Sequence, residues 1–326
     1  MPAAPTTTRA ARRRRIQRRR RTVATLVSAV IVASLVVGVF GFVRSLSERP
    51  GSEASGAASA LQVRTVSDAT TPAPTAEPPK ADAPTFDTAA AADAAMTVLG
   101  DYSDAVRPTK DALYTAIQSL RAATTAEAAN AAQAQVTQAA EAVKADATAY
   151  RAESAAKASA SNTQPIGGDV AAQMAYLHQH VFSYNSAEWG DYNPYGGDCT
   201  NFASQGLIAR GWHIDKTWYS KGKMWTASKP WIATAPMAAY FDKLGFGYST
   251  EADLDRVRVG DIGLFSWGET QAGMDHTMTV SKVEYVPGGP PKVYFISHNY
   301  DGEYRELTNA LYVEHQNSTV RIYHLP

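Results

Sequence analysis

The C-terminal half of this 326-residue chain is expected to be an α+β domain with an antiparallel sheet. Three observations predict it. Apolar residues recur at helical spacing in residues 170–182, 199–210 and 236–244. Runs rich in β-branched and aromatic residues follow at 261–267, 276–286, 292–300 and 320–325. Glycine- and proline-rich punctuation such as PGGPP, residues 287–291, separates them. Helices followed by consecutive strands place the sheet beside the helices rather than between alternating ones. An apolar helix and an alanine-rich helical hairpin are expected to precede this domain.

Residues 1–47 hold ten arginines and no Asp or Glu, leaving about −10 on the remainder. The acidic body gives no electrostatic reason to bind nucleic acid. A basic tail, residues 1–22, leads directly into residues 23–43, which are uncharged and rich in Val, Leu, Ile and Phe. That length suits a helix crossing a bilayer, about 20 residues, and exceeds the roughly 7–15 of a signal-peptide core. The competing reading is a cleaved signal with an A-x-A-like site at residues 58–60. The expectation is a single-pass cell-membrane anchor. Its arginine flank is cytoplasmic and everything beyond Arg49 lies outside, so the plasma membrane is a partner through residues 23–43.

Residues 44–85 are dominated by Ala, Ser, Thr, Pro and Gly, a composition too poor in apolar surface to pack, and read as a flexible linker. In residues 86–160 alanine dominates. Val98, Tyr102 and Val106, then Leu113, Ile117 and Leu120, recur at helical steps, and Pro108 should kink or break the helix. Val136, Val143 and Tyr150 mark a second run at seven-residue steps. The expectation is a thin helical hairpin or stalk without a chemical motif, its oligomeric state open.

The chemistry-bearing candidates lie in the last domain, residues 167–326, with all six tryptophans and all seven histidines. Cys199, the chain's only cysteine, sits in YGGDCTNFASQ, residues 195–205. A thiol with no possible partner within its chain, on the oxidising side of a membrane, is either intermolecular or reactive. Asp198 is positioned to cap the helix, which places Cys199 in its first turn. The free N–H groups there favour thiolate and could hold an oxyanion. Gly196 and Gly197 leave one face open to a substrate backbone. His276 opens a strand and is the candidate base. His298, near the end of the next strand, is the candidate third group, with Asn299 as its competitor on the opposite face. Direct opposition of His276 and His298 needs a hairpin centred at residue 287. A turn centred at Gly289 would set His298 against Val280, and a bulge could reconcile the two.

GGDCTNFASQ with a following GW, a strand opened by GD, a strand-opening His and the run Ser297-His298-Asn299 with Asp301 resemble the putative amidase domain family. That family is related to the NlpC-type cell-wall peptidases of the papain-like superfamily. The resemblance spans residues 173–323, about half the chain. It implies a papain-like, NlpC-like antiparallel sheet packed on N-terminal helices, with Cys199 as nucleophile, His276 as base and His298 as orienting group. It also implies amide hydrolysis, in peptidoglycan or peptide substrates, with no metal or cofactor. Gly206 after the SQ pair and Thr277-Met278 after the histidine depart from the family pattern and bear on the substrate pocket.

Other readings compete. HQH at residues 178–180, and His213 with Asp215, lack the spacing and third ligand that zinc needs. Trp212, Trp218, Trp225 and Trp231 fit a core better than a sugar-stacking surface. The alternative function is a non-catalytic wall-binding module on the same fold, gripping glycan or peptide.

Overall fold

Alanine-rich sequence becomes helix wherever a cap starts it and a turn stops it. The computed structural model describes residues 84, 86–161, 168–269 and 273–326. The expected basic tail and membrane segment lie outside these residues, as does nearly all of the linker. Among the described residues no helix is long and apolar enough to cross a membrane. Three helices open the described chain: α1 (Thr88–Asp101), α2 (Arg107–Ala122) and α3 (Ala126–Ser161). Asp87 starts α1 by accepting hydrogen bonds from the Ala89 and Ala90 N–H groups at 2.9 and 3.0 Å. Pro108 lies in the first turn of α2, where a missing N–H is harmless. The chain therefore breaks before Arg107, and the expected hairpin is a three-helix unit.

Leu99, Leu113, Ile117, Leu120, Val136 and Val143 are buried together, and alanines at the remaining core positions let the helices approach closely. Nor is this unit a free stalk. Arg107 forks onto the Asp255 carboxylate at 2.7 and 3.4 Å, and Arg256 reaches Asp146 at 2.8 Å. The Ser103 hydroxyl donates to the Val257 carbonyl at 2.9 Å, and the Tyr285 hydroxyl donates to Asp111. Lys110 is buried, and its ammonium donates to the carbonyls of Ser103 at 2.6 Å and Asp255 at 3.2 Å.

The second half carries α4 (Val170–His180), α5 (Cys199–Ala209), α6 (Thr234–Lys243) and strands β1 (Tyr248–Ser249), β2 (Ile262–Ser266), β3 (His276–Glu284), β4 (Lys292–Ser297), β5 (Gly302–Glu306) and β6 (Thr319–Tyr323). The strands form one antiparallel sheet in the order β1-β6-β2-β3-β4-β5, so this half is the expected α+β arrangement. Strand alternation gives each face its own core. Ile262, Leu264 and Tyr323 pack with Leu207, Trp212, Trp218, Trp231 and Phe241 on the helical side. Phe265, Met278, Val280, Phe295 and Ile322 pack with Leu254, Val257, Leu307 and Leu311 on the other. The tryptophans expected in the core are mostly there: Trp212, Trp218 and Trp231 are buried, whereas Trp225 is 68% exposed.

Gly206 explains how α5 meets α4. A Cβ added there would lie 2.9 to 3.2 Å from three Leu177 side-chain carbons, so glycine lets the helices close. This departure from the family pattern is a packing feature of the core. The β3–β4 pairing shifts register between Val280 and Lys282, a bulge that still does not bring His276 opposite His298.

Burial lowers the Lys110 ammonium from 10.5 to about 8, with Asp255 opposing the shift. The unfolded chain then binds more protons than the folded one between about pH 8 and 10.5, so stability rises with pH across that window. Thermal unfolding of Lys110→Met beside wild type should show the variant's relative stability falling as pH is raised from 8 to 10.5. A difference that stays flat would contradict a Lys110 whose pKa burial lowers.

Candidate active site

Cys199 is the first residue of α5 and is buried. The preceding loop reaches it through two left-handed glycines, Gly196 at φ +113° and Gly197 at φ +127°, a conformation in which other residues would be strained. Asp198 does not cap the helix with its side chain. Its fully buried carboxylate accepts instead from the Tyr192 N–H at 3.0 Å and the Asn201 amide at 2.9 Å, and pairs with His298 Nδ1 at 2.6 Å. The His298 imidazole is clamped between the rings of Tyr184 and Phe202, each with centroids 3.6 Å away, and its Nε2 meets the His180 carbonyl at 3.0 Å. A buried acid with three donors and a ring stacked on both faces ties the cysteine loop to the end of β4.

Asn299 supplies the cap that Asp198 does not. Its amide oxygen accepts from both the Asp198 and Cys199 N–H groups, the latter at 2.9 Å, and its amide nitrogen donates to the Asn193 side chain. Asn299 and Tyr300 both hold positive φ, +57° and +76°. The N–H of Cys199, expected to face a substrate, is thus occupied from within the chain.

The sulfur itself lies among hydroxyls. Thr200 Oγ1 is 3.8 Å from it, and the Thr277 backbone N–H is a hydrogen-bond partner. Behind it the hydroxyls of Thr200, Thr234 and Thr277 form a buried triangle with sides of 2.9, 3.0 and 3.4 Å. Burial pushes the Cys199 thiol upward, and Asp198 adds to this, against the hydrogen bonds from Thr277 and Thr200. Burial thus works against the thiolate expected from the helix N-terminus, and desolvation outweighs the hydrogen bonds that favour it.

The three residues read from the sequence do not meet as a hydrogen-bonded triad. Neither imidazole bonds the sulfur, and His298 is engaged on both nitrogens by Asp198 and His180. The reason is register. Thr279 pairs with Ile296, and continued two residues this sets Thr277, not His276, opposite His298. Thr277 and His298 therefore face α5 with Cys199. His276 shares the opposite face with its partner Phe265. There it stacks on Trp267 with centroids 4.3 Å apart, and its Nε2 is buried without a hydrogen-bond partner. Burial, then the charges of Arg305 and His315, lower its pKa from 6.5 to about 3.

Neither the threonine triangle nor the stacking rings of Tyr184 and Phe202 can be read from the sequence, because isolated Thr and aromatic residues carry no pattern of their own. Asn299 was visible, as the neighbour of His298, but its role depends on a left-handed turn. His178 pairs with Glu303 at 2.8 Å. Among the described residues no group of three or more His, Cys, Asp and Glu side chains is placed to hold a metal ion.

Residues 168–323 match the model of the family described as "Putative amidase domain". This segment is a domain of that family. No curated protein and no solved structure matches the chain. The amidase domain thus begins just before α4 and ends with β6, so the three-helix unit lies outside it. Its description points to amide hydrolysis and leaves the mechanism to the residues.

Two predictions arise from this geometry. Asp198→Ala leaves three buried donors without their acceptor, and urea unfolding should show a loss of about 3–5 kcal/mol. An effect under about 1 kcal/mol would mean the network does not hold the loop. His276, with its pKa depressed to about 3, favours the neutral fold. Its contribution to stability is complete above about pH 6.5 and is lost progressively as pH falls toward 3. Acid titration of His276→Gln against wild type should show wild type losing stability more steeply below pH 6.5.

Proposed function

We propose that the amidase domain is a cysteine hydrolase of papain-like type, with Cys199 as its nucleophile. The observation that carries this reading is the placement of the chain's only thiol as the first residue of α5, beside two converging backbone N–H groups. In the proposed reaction Sγ adds to an amide carbonyl carbon as the thiol proton passes to His276, and the carbonyl electron pair moves onto oxygen. Collapse breaks the C–N bond, and the imidazole proton goes to the leaving amine. Water then hydrolyses the thioester.

His276 is the proposed base in this reading, and because its ring rests on the face of β3 away from Cys199 it has to swing around the start of the strand to reach the sulfur. Its ring leaves the Trp267 stack to act, which the unpartnered Nε2 favours. His298 serves through Asp198, fixing the turn that carries the nucleophile, rather than by holding the His276 ring. The proposed substrates are amide bonds of peptidoglycan peptides. The proposed anchor, residues 23–43, would hold the domain on the outer face of the plasma membrane beside them.

A second reading, a non-catalytic wall-binding module, is favoured by the buried, neutral thiol and by exposed Tyr195 and Trp225. Their rings meet edge to face with centroids 6.4 Å apart. Turnover of peptidoglycan fragments by the full chain separates the two. The hydrolase reading expects Cys199→Ala to lose on the order of 10³-fold or more in rate, followed as released amine by mass. Equal turnover by both proteins, or binding without turnover, would leave the binding module.

A further inference from the structure

A side-chain oxygen already sits where a reacting oxygen would have to go. The Asp198 and Cys199 N–H groups converge on one acceptor, Asn299 Oδ1, beside a sulfur that is itself buried. A carbonyl oxygen polarised during attack by Cys199 needs those same donors. The loop is shaped for the present occupant. A Cβ on Gly197 would stand 3.1 Å from Asn299 Oδ1, so glycine admits the amide. Gly196 has open space where its Cβ would be, leaving the outer side of the loop clear. Asn299 itself hangs on a turn of two consecutive left-handed residues, and Tyr300, the second, is 61% exposed. Strained backbone of this kind is held in place by the contacts around it and gives way when they are exchanged.

We propose that Asn299 is a removable plug of the oxyanion pocket: its amide oxygen stands in for the oxygen of the tetrahedral intermediate and is displaced by the substrate. This rests on Cys199 being the nucleophile. The plug keeps both donors satisfied and the thiol covered in the resting domain. Opening breaks its two bonds at the helix start and the one to Asn193. The substrate oxygen restores the first two, so a correctly seated amide opens the site at little net loss and a water molecule does so poorly.

Two substitutions at Asn299 move in opposite directions. Asn299→Gly keeps the left-handed turn and removes the plug. Asn299→Asp keeps the shape and gives up the bond to Asn193, but its negative charge strengthens both bonds at the helix N-terminus, so it is held more tightly there. The probe is iodoacetamide alkylation of Cys199 in the full chain, read as the limiting rate at high pH so that thiol ionisation does not enter. Hydrolysis of peptidoglycan fragments is measured beside it, and the thermal midpoint confirms folding. The plug expects both rates to rise about tenfold in the glycine variant, the worth of one or two net hydrogen bonds no longer broken. It expects both to fall below wild type in the aspartate variant. A residue that only braced the loop would be preserved by Asp and impaired by Gly, and that pattern would overturn the plug. Alkylation needs no turnover, so its failure to rise in a folded glycine variant overturns the plug alone. Turnover independent of Cys199 overturns the hydrolytic reading instead.

Discussion

The buried pairing of Asp198 with His298 is the constraint from which the rest of the site follows. A carboxylate removed from water has to be satisfied by donors, and Asp198 has three: the Tyr192 N–H, the Asn201 amide and the His298 ring. Each donor comes from a different segment. Tyr192 begins the loop before the cysteine, Asn201 lies in α5, and His298 follows β4. The stacking of Tyr184 and Phe202 on His298 leaves that ring no freedom to turn away. Cys199, next to Asp198, has its position set by this knot.

A second consequence is the division of labour across the sheet. On the α5 face lie the sulfur, the threonine hydroxyls and His298. On the opposite face His276 is packed against Trp267, which itself stacks on His315 with centroids 3.7 Å apart. The thiol and the His276 imidazole thus lie on opposite faces of the sheet. The orphaned Nε2 of His276 and the Asn299 oxygen on the helix start are two features that a reacting state would relieve. They differ in kind: one is an unmet hydrogen bond, the other a hydrogen bond met by a surrogate.

Much of the fold was legible because it rests on periodicity and punctuation. The helix-then-strand order, the break at Pro108 and the placement of Cys199 at a helix start all follow from local sequence. What was not legible depends on a single residue of register or on contacts between distant segments. The bulge around Ser281, whose hydroxyl donates to the Glu303 carbonyl at 2.6 Å, moves the residue opposite His298 from Met278 to Thr277 and stops one residue short of His276. No pattern near His276 encodes it. The cap on α5 was assigned to Asp198 by adjacency, yet Asn299, a hundred residues away, performs it. Likewise the alanine-rich helices carry Arg107 and Lys110 as part of a docking surface whose partner, the Asp255 loop, only the tertiary structure identifies.

The central claim is that Cys199 forms a bond to the substrate's acyl group. Acid quench during turnover of a peptidoglycan peptide, followed by mass mapping of the cysteine-bearing fragment, tests it directly. The account predicts an acyl mass on Cys199 that hydroxylamine removes, as a thioester requires. Continued hydrolysis by protein whose Cys199 remains free at every time point, or is blocked beforehand, would contradict it.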